Sequence, residues 1–130
     1  MTKQEHINYW LQSAEKEGVL IEKLFNSGDY VYSLFFCHLY LEKLCKALWV
    51  KNNIDNIAPR THNLMYLLNA SNIELNEAEL IFFTEMNAWQ LEGRYPDYKF
   101  AIYKLCTKQF TQPLITQTKY YTKWLHNKMQ

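Results

Sequence analysis

The chain has 130 residues, 48% hydrophobic and 16% aromatic, which is the length of one domain and enough apolar surface for a sizeable core without a covalent staple. Three Gly and three Pro are too few for the turns of a strand-rich fold, and Cys37, Cys45 and Cys106 form no C-x-x-C pair, which argues against a disulfide framework and a zinc knuckle. The net charge of +1 hides an asymmetry: residues 1–97 hold eight Lys or Arg and all thirteen Asp or Glu, whereas residues 98–130 hold six Lys and no acid.

Thr2 and Glu5 are spaced for a capping box, and Ile7, Trp10, Leu11, Ala14, Ile21, Leu24 and Phe25 recur at helical spacing, which predicts a first helix over about 4–26. Gly28 suits the left-handed residue after a helix end, and Asp29 is placed to accept backbone N–H bonds at the start of a second helix over about 30–52. That helix is apolar nearly all round, with Val31, Leu34, Phe35, Phe36, Leu39, Leu41, Leu44, Leu48 and Trp49, so it is either central or part of an interface. If one bundle does not cover it, a second copy must, and a homodimer is expected.

Residues 52–59 read as a loop, because Pro59 biases Ala58 away from helix and the Asn and Asp residues favour turns. Thr61 is a candidate cap for a short third helix carrying Leu64, Leu67 and Leu68. Asn76 with Glu79 makes a cap for a fourth, which carries Ala78, Ile81, Phe82, Met86 and Trp89 and ends near Gly93. Residues 93–98, GRYPDY, read as an extended loop. The last helix carries Leu114, Ile115, Tyr121, Trp124 and Leu125; capping at Thr107 places Pro113 where it disturbs an early turn, and capping at Thr111 places it in the first turn, where no bond is lost. The fold class is therefore all-α, a single domain over 1–130 built as an up-and-down bundle of about five helices. The start MTKQEH lacks an apolar signal segment and the run from Val31 to Tyr40 is broken by Ser33 and His38, so neither export nor a membrane span is expected, and the cysteines fit a reducing cytoplasm.

His38, Glu42 and Lys46 fall at successive i, i+4 positions and form one polar stripe on the apolar second helix, with Lys43 at its edge. The stripe is either a solvated face with a helical ion pair or a site where cations meet an anion and Glu42 positions a lysine. A metal centre does not fit, since Lys46 repels a cation and no H-E-x-x-H or second ligand pair is present. Cys37 and Cys45 read as small core residues, and no Gly-rich phosphate loop or paired-carboxylate signature occurs. Arg94, between a helix end and Pro96 and flanked by Tyr95 and Tyr98, is either paired with Asp97 or offers a planar cation beside aromatic faces to a phosphate or base.

Three segments in order, LFNSGDYVYSLFFCHLYLEKLCKAL with Glu42, Lys43 and Lys46, APRTHNL around His62, and GRYPDY followed by TKYYTKWL, together resemble the HEPN family, the higher eukaryotes and prokaryotes nucleotide-binding domain. The resemblance spans nearly the whole chain. It implies a helical bundle that commonly dimerises, nucleotide or RNA binding, and frequent association with a nucleotidyltransferase in toxin–antitoxin pairs. Many relatives are metal-independent ribonucleases that use an arginine followed at short spacing by a histidine, the one to stabilise phosphate charge and the other to move a proton. Arg94 matches the arginine, but Lys99, Phe100 and Ala101 stand in the histidine slots, and Arg60 and His62 are too close together to replace the pair.

The expectation is accordingly a non-catalytic module binding a nucleotide or RNA phosphate through Arg94, Lys43, Lys46 and His62, with Tyr95 and Glu42 in support and no cofactor or metal. The alternatives are a divergent ribonuclease that moves its proton through His62, and an interaction partner or antidote of a nucleotidyltransferase with the second helix as the interface. The small net charge disfavours a long nucleic-acid track, which relies on several cationic contacts.

Overall fold

In the computed structural model, residues 1–92 and 104–130 are described, and five helices organise them: α1 Lys3–Asn26, α2 Tyr30–Asn52, α3 Leu64–Ala70, α4 Glu77–Glu92 and α5 Lys108–Lys128. The all-α expectation is met. Arg94, Tyr95, Tyr98 and Lys99 lie outside the described residues, as does the GRYPDY loop.

Local chemistry accounts for most helix ends. Thr2 and Glu5 form the reciprocal capping box, with the Glu5 N–H donating to Thr2 Oγ1 at 3.1 Å and the Thr2 N–H to Glu5 Oε1 at 3.2 Å. Asn76 and Glu79 repeat it at α4, at 2.8 and 2.9 Å. Gly28 takes φ +83°, the left-handed conformation that lets α1 turn back into α2. Three starts differ from expectation. Asp29 makes no capping bond, because its carboxylate accepts from the Ser27 hydroxyl at 2.7 Å. At α3 the cap is Asn63, accepting from the Tyr66 N–H, while Thr61 two residues earlier accepts from the Asn63 N–H and shapes the entry. At α5, Thr107 is the cap, accepting from the Phe110 N–H at 3.1 Å. Pro113 is therefore inside the helix, beyond the first turn, and the ladder bond that an N–H there would give to Gln109 is missing.

α2 is the axis of the molecule. No residue from Tyr30 to Val50 is exposed, and burying leucines such as Leu34, Leu41, Leu44 and Leu48 contributes on the order of 1.5–3 kcal/mol each. α1 packs antiparallel along it, and at Gly18 a Cβ would overlap the Tyr40 ring. The Lys3 ammonium donates to the carbonyls of Val50 and Asn53, both at 2.7 Å, and satisfies the open end of α2. Residues 53–63 carry the chain back, so that α3 runs beside α2 in the same direction. α4 and α5 then pack antiparallel through Phe82, Phe83, Tyr121 and Trp124, with Phe82 stacked on Tyr121 at 4.3 Å. Because its own chain covers α2, the exposed apolar rod from which a homodimer was expected is not there. Ile81, expected in the core of α4, is 61% exposed.

The basic tail meets the acidic half of the chain. Lys119 pairs with Glu22, His126 lies 4.0 Å from Glu15, and the Lys51 ammonium donates to the Lys128 carbonyl at 3.0 Å. These contacts set α5 beside α1 across α2, with Lys119 and His126 of the basic tail facing acidic residues of α1. Among the described residues no helix is long and apolar enough to cross a membrane.

Candidate anion-binding site

The polar stripe of α2 is buried rather than solvated: His38, Glu42 and Lys46 are 2%, 4% and 8% exposed. A carboxylate there needs partners, because an isolated buried charge is strongly disfavoured. Glu42 finds them on both sides. Its Oε2 accepts from Lys46 Nζ at 3.1 Å, and its Oε1 accepts from His62 Nδ1 at 2.8 Å. The Lys46 ammonium also sits 5.1 Å from the centre of the Trp10 ring, so it is held between a carboxylate and an aromatic face.

His38, one turn before Glu42, grips the same loop by its backbone. Its Nε2 donates to the His62 carbonyl at 2.9 Å. Burial lowers the His38 pKa to about 4, against the opposing pull of Glu42 and of that carbonyl, and the ring is neutral at physiological pH. α2 therefore fixes His62 twice, at its carbonyl and at its ring.

A carboxylate only accepts, so the hydrogen of the His62 ring is on Nδ1 and its Nε2 is turned away from Glu42. The side chain is 46% exposed and lines an open cleft of about 620 Å³ with Arg60, Asn63, Thr84, Asn87 and Gln90. Asn87 anchors the two walls to each other: its Oδ1 accepts from the Leu64 N–H and its Nδ2 donates to Asn63 Oδ1, both at 2.8 Å. Among the described residues, the lining holds one guanidinium, one imidazole, amides and hydroxyls, and no acid. The Gln90 Oε1 is buried and makes no hydrogen bond among the described residues.

Of the residues singled out from the sequence, the structure brings together Glu42, Lys46 and His62. Lys43 is drawn the other way, to α1, where its ammonium donates to Ser13 Oγ at 2.5 Å and to Glu17 at 2.7 Å. Both lysines thus spend their charge on carboxylates inside the bundle. Arg94 and Tyr95 lie outside the described residues. The sequence reading set Arg60 aside and missed Thr84, Asn87 and Gln90. Their three-residue spacing on α4, between Phe82, Phe83, Met86 and Trp89, is a polar stripe on an apolar helix, a signal of the same kind as the one noticed on α2.

Cys37 and Cys45 are fully buried, and desolvation pushes the Cys37 thiol up to about 12 and Cys45 higher still, so neither is a nucleophile. Among the described residues no group of three His, Cys, Asp or Glu is arranged to hold a metal. Compared with known families, the chain matches the model of the HEPN domain over residues 7–128. No curated protein and no solved structure matches it.

Proposed function

The chain belongs to the HEPN family, and from that premise we propose that it is a non-catalytic module holding a nucleotide or RNA phosphate in the cleft between residues 60–63 and α4. The observation that carries this reading is the bond from His62 to buried Glu42 at the edge of a cleft that also contains Arg60 and, among the described residues, is lined by no acid.

Each part has a physical role. Glu42 holds the imidazole so that Nε2 faces the ligand. Lys46 matches the charge of Glu42, so the carboxylate behind His62 does not repel an incoming phosphate. Arg60 supplies a planar, permanently charged fork, and Asn63, Thr84 and Asn87 add neutral polar groups. Arg94 and Tyr95, a few residues beyond Gln90 in the chain, are proposed as a second cation and a stacking ring for the same ligand, on the family resemblance. Lys43, expected in this site, is assigned instead to tying α1 to α2. The reading is non-catalytic because the family's ribonuclease pair lacks its histidine here.

Titration of the purified protein with ATP, GTP and a short RNA tests the proposal. Saturable binding is expected, weakened roughly 10- to 100-fold by His62→Ala or Arg94→Ala, as for loss of one charge-assisted hydrogen bond. Absence of saturable binding, or indifference to both substitutions, contradicts it. RNA cleaved by the wild type and left intact by His62→Ala identifies the divergent ribonuclease instead.

We also propose that the chain works as a homodimer, as its family commonly does, through a surface other than the covered α2. Light scattering at micromolar concentration that finds only monomer overturns this. A toxin–antitoxin setting with a nucleotidyltransferase partner is proposed on family grounds, and co-purification of such an enzyme from the native source is its test.

A further inference from the structure

A second cleft adjoins the first. It has a volume of about 660 Å³ and is lined by Met65, Tyr66, Ile73, Glu74, Leu75 and Leu80 along the α3–α4 groove, and Asn63 belongs to both clefts. The wall between them is a direct contact: the Thr84 oxygen lies 3.1 Å from the Met65 sulfur, while its hydroxyl donates to the Leu80 carbonyl at 2.6 Å. The two halves differ in chemistry. Among the described residues, one has Arg60, His62 and amides and no acid; the other has an aromatic ring, a thioether, aliphatic side chains, the amide of Asn69 and one carboxylate.

We propose that the second cleft is a nucleobase subsite, so that the pair takes one nucleoside 5′-monophosphate unit with its phosphate at Arg60 and His62 and its base on Tyr66. The inference rests on the phosphate reading above and adds the identity of the ligand's other end. Volumes of this size are ordinary for small-molecule sites, which run to about 300–1,000 Å³. Tyr66 is 54% exposed, a ring face left open to stacking, with Leu80 at 47% across the groove. Asn63 stands where the sugar passes. Its Oδ1 is taken by the Tyr66 N–H and by Asn87, while its Nδ2 makes no hydrogen bond among the described residues and is a donor for a ribose or ester oxygen.

Glu74 sets the choice of base. It lines the cleft and is exposed, and a carboxylate offers only acceptors. Guanine presents two adjacent donors, N1–H and the 2-amino group, to such a partner. Adenine presents its 6-amino group beside an unprotonated N1, which a carboxylate repels. The subsite therefore favours guanine.

Calorimetric titration with ribose 5-phosphate, GMP and AMP separates this from the phosphate reading. GMP is expected to bind roughly tenfold or more tightly than ribose 5-phosphate, the scale of one base–aromatic stack. Tyr66→Ala should erase that difference without changing the affinity for ribose 5-phosphate, Tyr66→Phe should restore it, and Glu74→Gln should narrow the preference for GMP over AMP. Equal binding of GMP and ribose 5-phosphate, or a difference that survives Tyr66→Ala, overturns the subsite while leaving the phosphate site standing. If ribose 5-phosphate and both nucleotides fail to bind, the phosphate reading falls and the subsite with it. A 5′-phosphorylated guanosine trinucleotide distinguishes the sources of the unit: binding tighter than GMP identifies an RNA end, and equal binding a free nucleotide.

Discussion

His62 Nδ1 donates to Oε1 of Glu42 at 2.8 Å, although Glu42 is buried on the central helix and His62 is half exposed on a loop twenty residues further along the chain. One bond thus ties the interior charge network to the open cleft. It makes the stability of the bundle and the chemistry of the cleft depend on the same carboxylate.

Glu42→Ala should destabilise the protein by about 3–5 kcal/mol, the usual cost of leaving one member of a buried ion pair behind. Here the stranded group is the Lys46 ammonium, 8% exposed. The pair Glu42→Gln with Lys46→Met should recover most of that loss, since both charges leave together. Urea denaturation of the two variants beside the wild type measures the difference.

Stability should fall in mild acid because of His38. Its folded pKa is lowered to about 4 from an ordinary 6.5, mainly by burial. Between those values the unfolded chain binds a proton that the folded chain does not, so this contribution is whole above about pH 6.5 and is lost as pH drops toward 4, by about 3 kcal/mol in all. His38→Gln keeps a donor for the His62 carbonyl and has no titration in this range. Urea midpoints at pH 7.5, 6 and 5 should decline more steeply for the wild type than for this variant.

Gly18→Ala tests the packing of α1 on α2 at the Tyr40 ring. Alanine favours helix over glycine by about 1 kcal/mol, but its Cβ would overlap the Tyr40 ring, and overpacking of that kind costs about 1–3 kcal/mol. A net loss of stability is expected. Adding Tyr40→Leu to Gly18→Ala should cost less than Tyr40→Leu costs alone, which a thermal denaturation series of the four proteins reads directly.

Pro113→Ala should stabilise α5 by about 1 kcal/mol, less than the full penalty for an interior proline because the unfolded chain also gains freedom. The same substitution would be neutral or harmful if the helix began at Thr111, so the thermal midpoint of this variant also checks the helix start.

The helices were legible in the sequence because their signals are local. Thr2 with Glu5 and Asn76 with Glu79 announce two starts, and Gly28 announces a turn, each through contacts a few residues apart. The starts of α3 and α5 were harder, since Thr61 against Asn63 and Thr107 against Thr111 are equivalent caps until packing selects one. The α2 stripe was visible as a pattern, but whether it met solvent depended on α1 and on the returning loop, which no spacing rule encodes. The cleft was least legible. Thr84, Asn87 and Gln90 acquire meaning only when α4 is laid against residues 60–63, and Lys43 and Lys46, neighbours of opposite fate, are separated by which helix each happens to face.

The most direct test of the phosphate site is an NMR titration that follows the ring carbon and proton signals of the four histidines as GMP is added. The account predicts that the His62 signal moves saturably while those of His6 and His126, which lie outside the cleft, stay in place. Saturation that leaves His62 unmoved, or no movement of any histidine up to millimolar nucleotide, would contradict it.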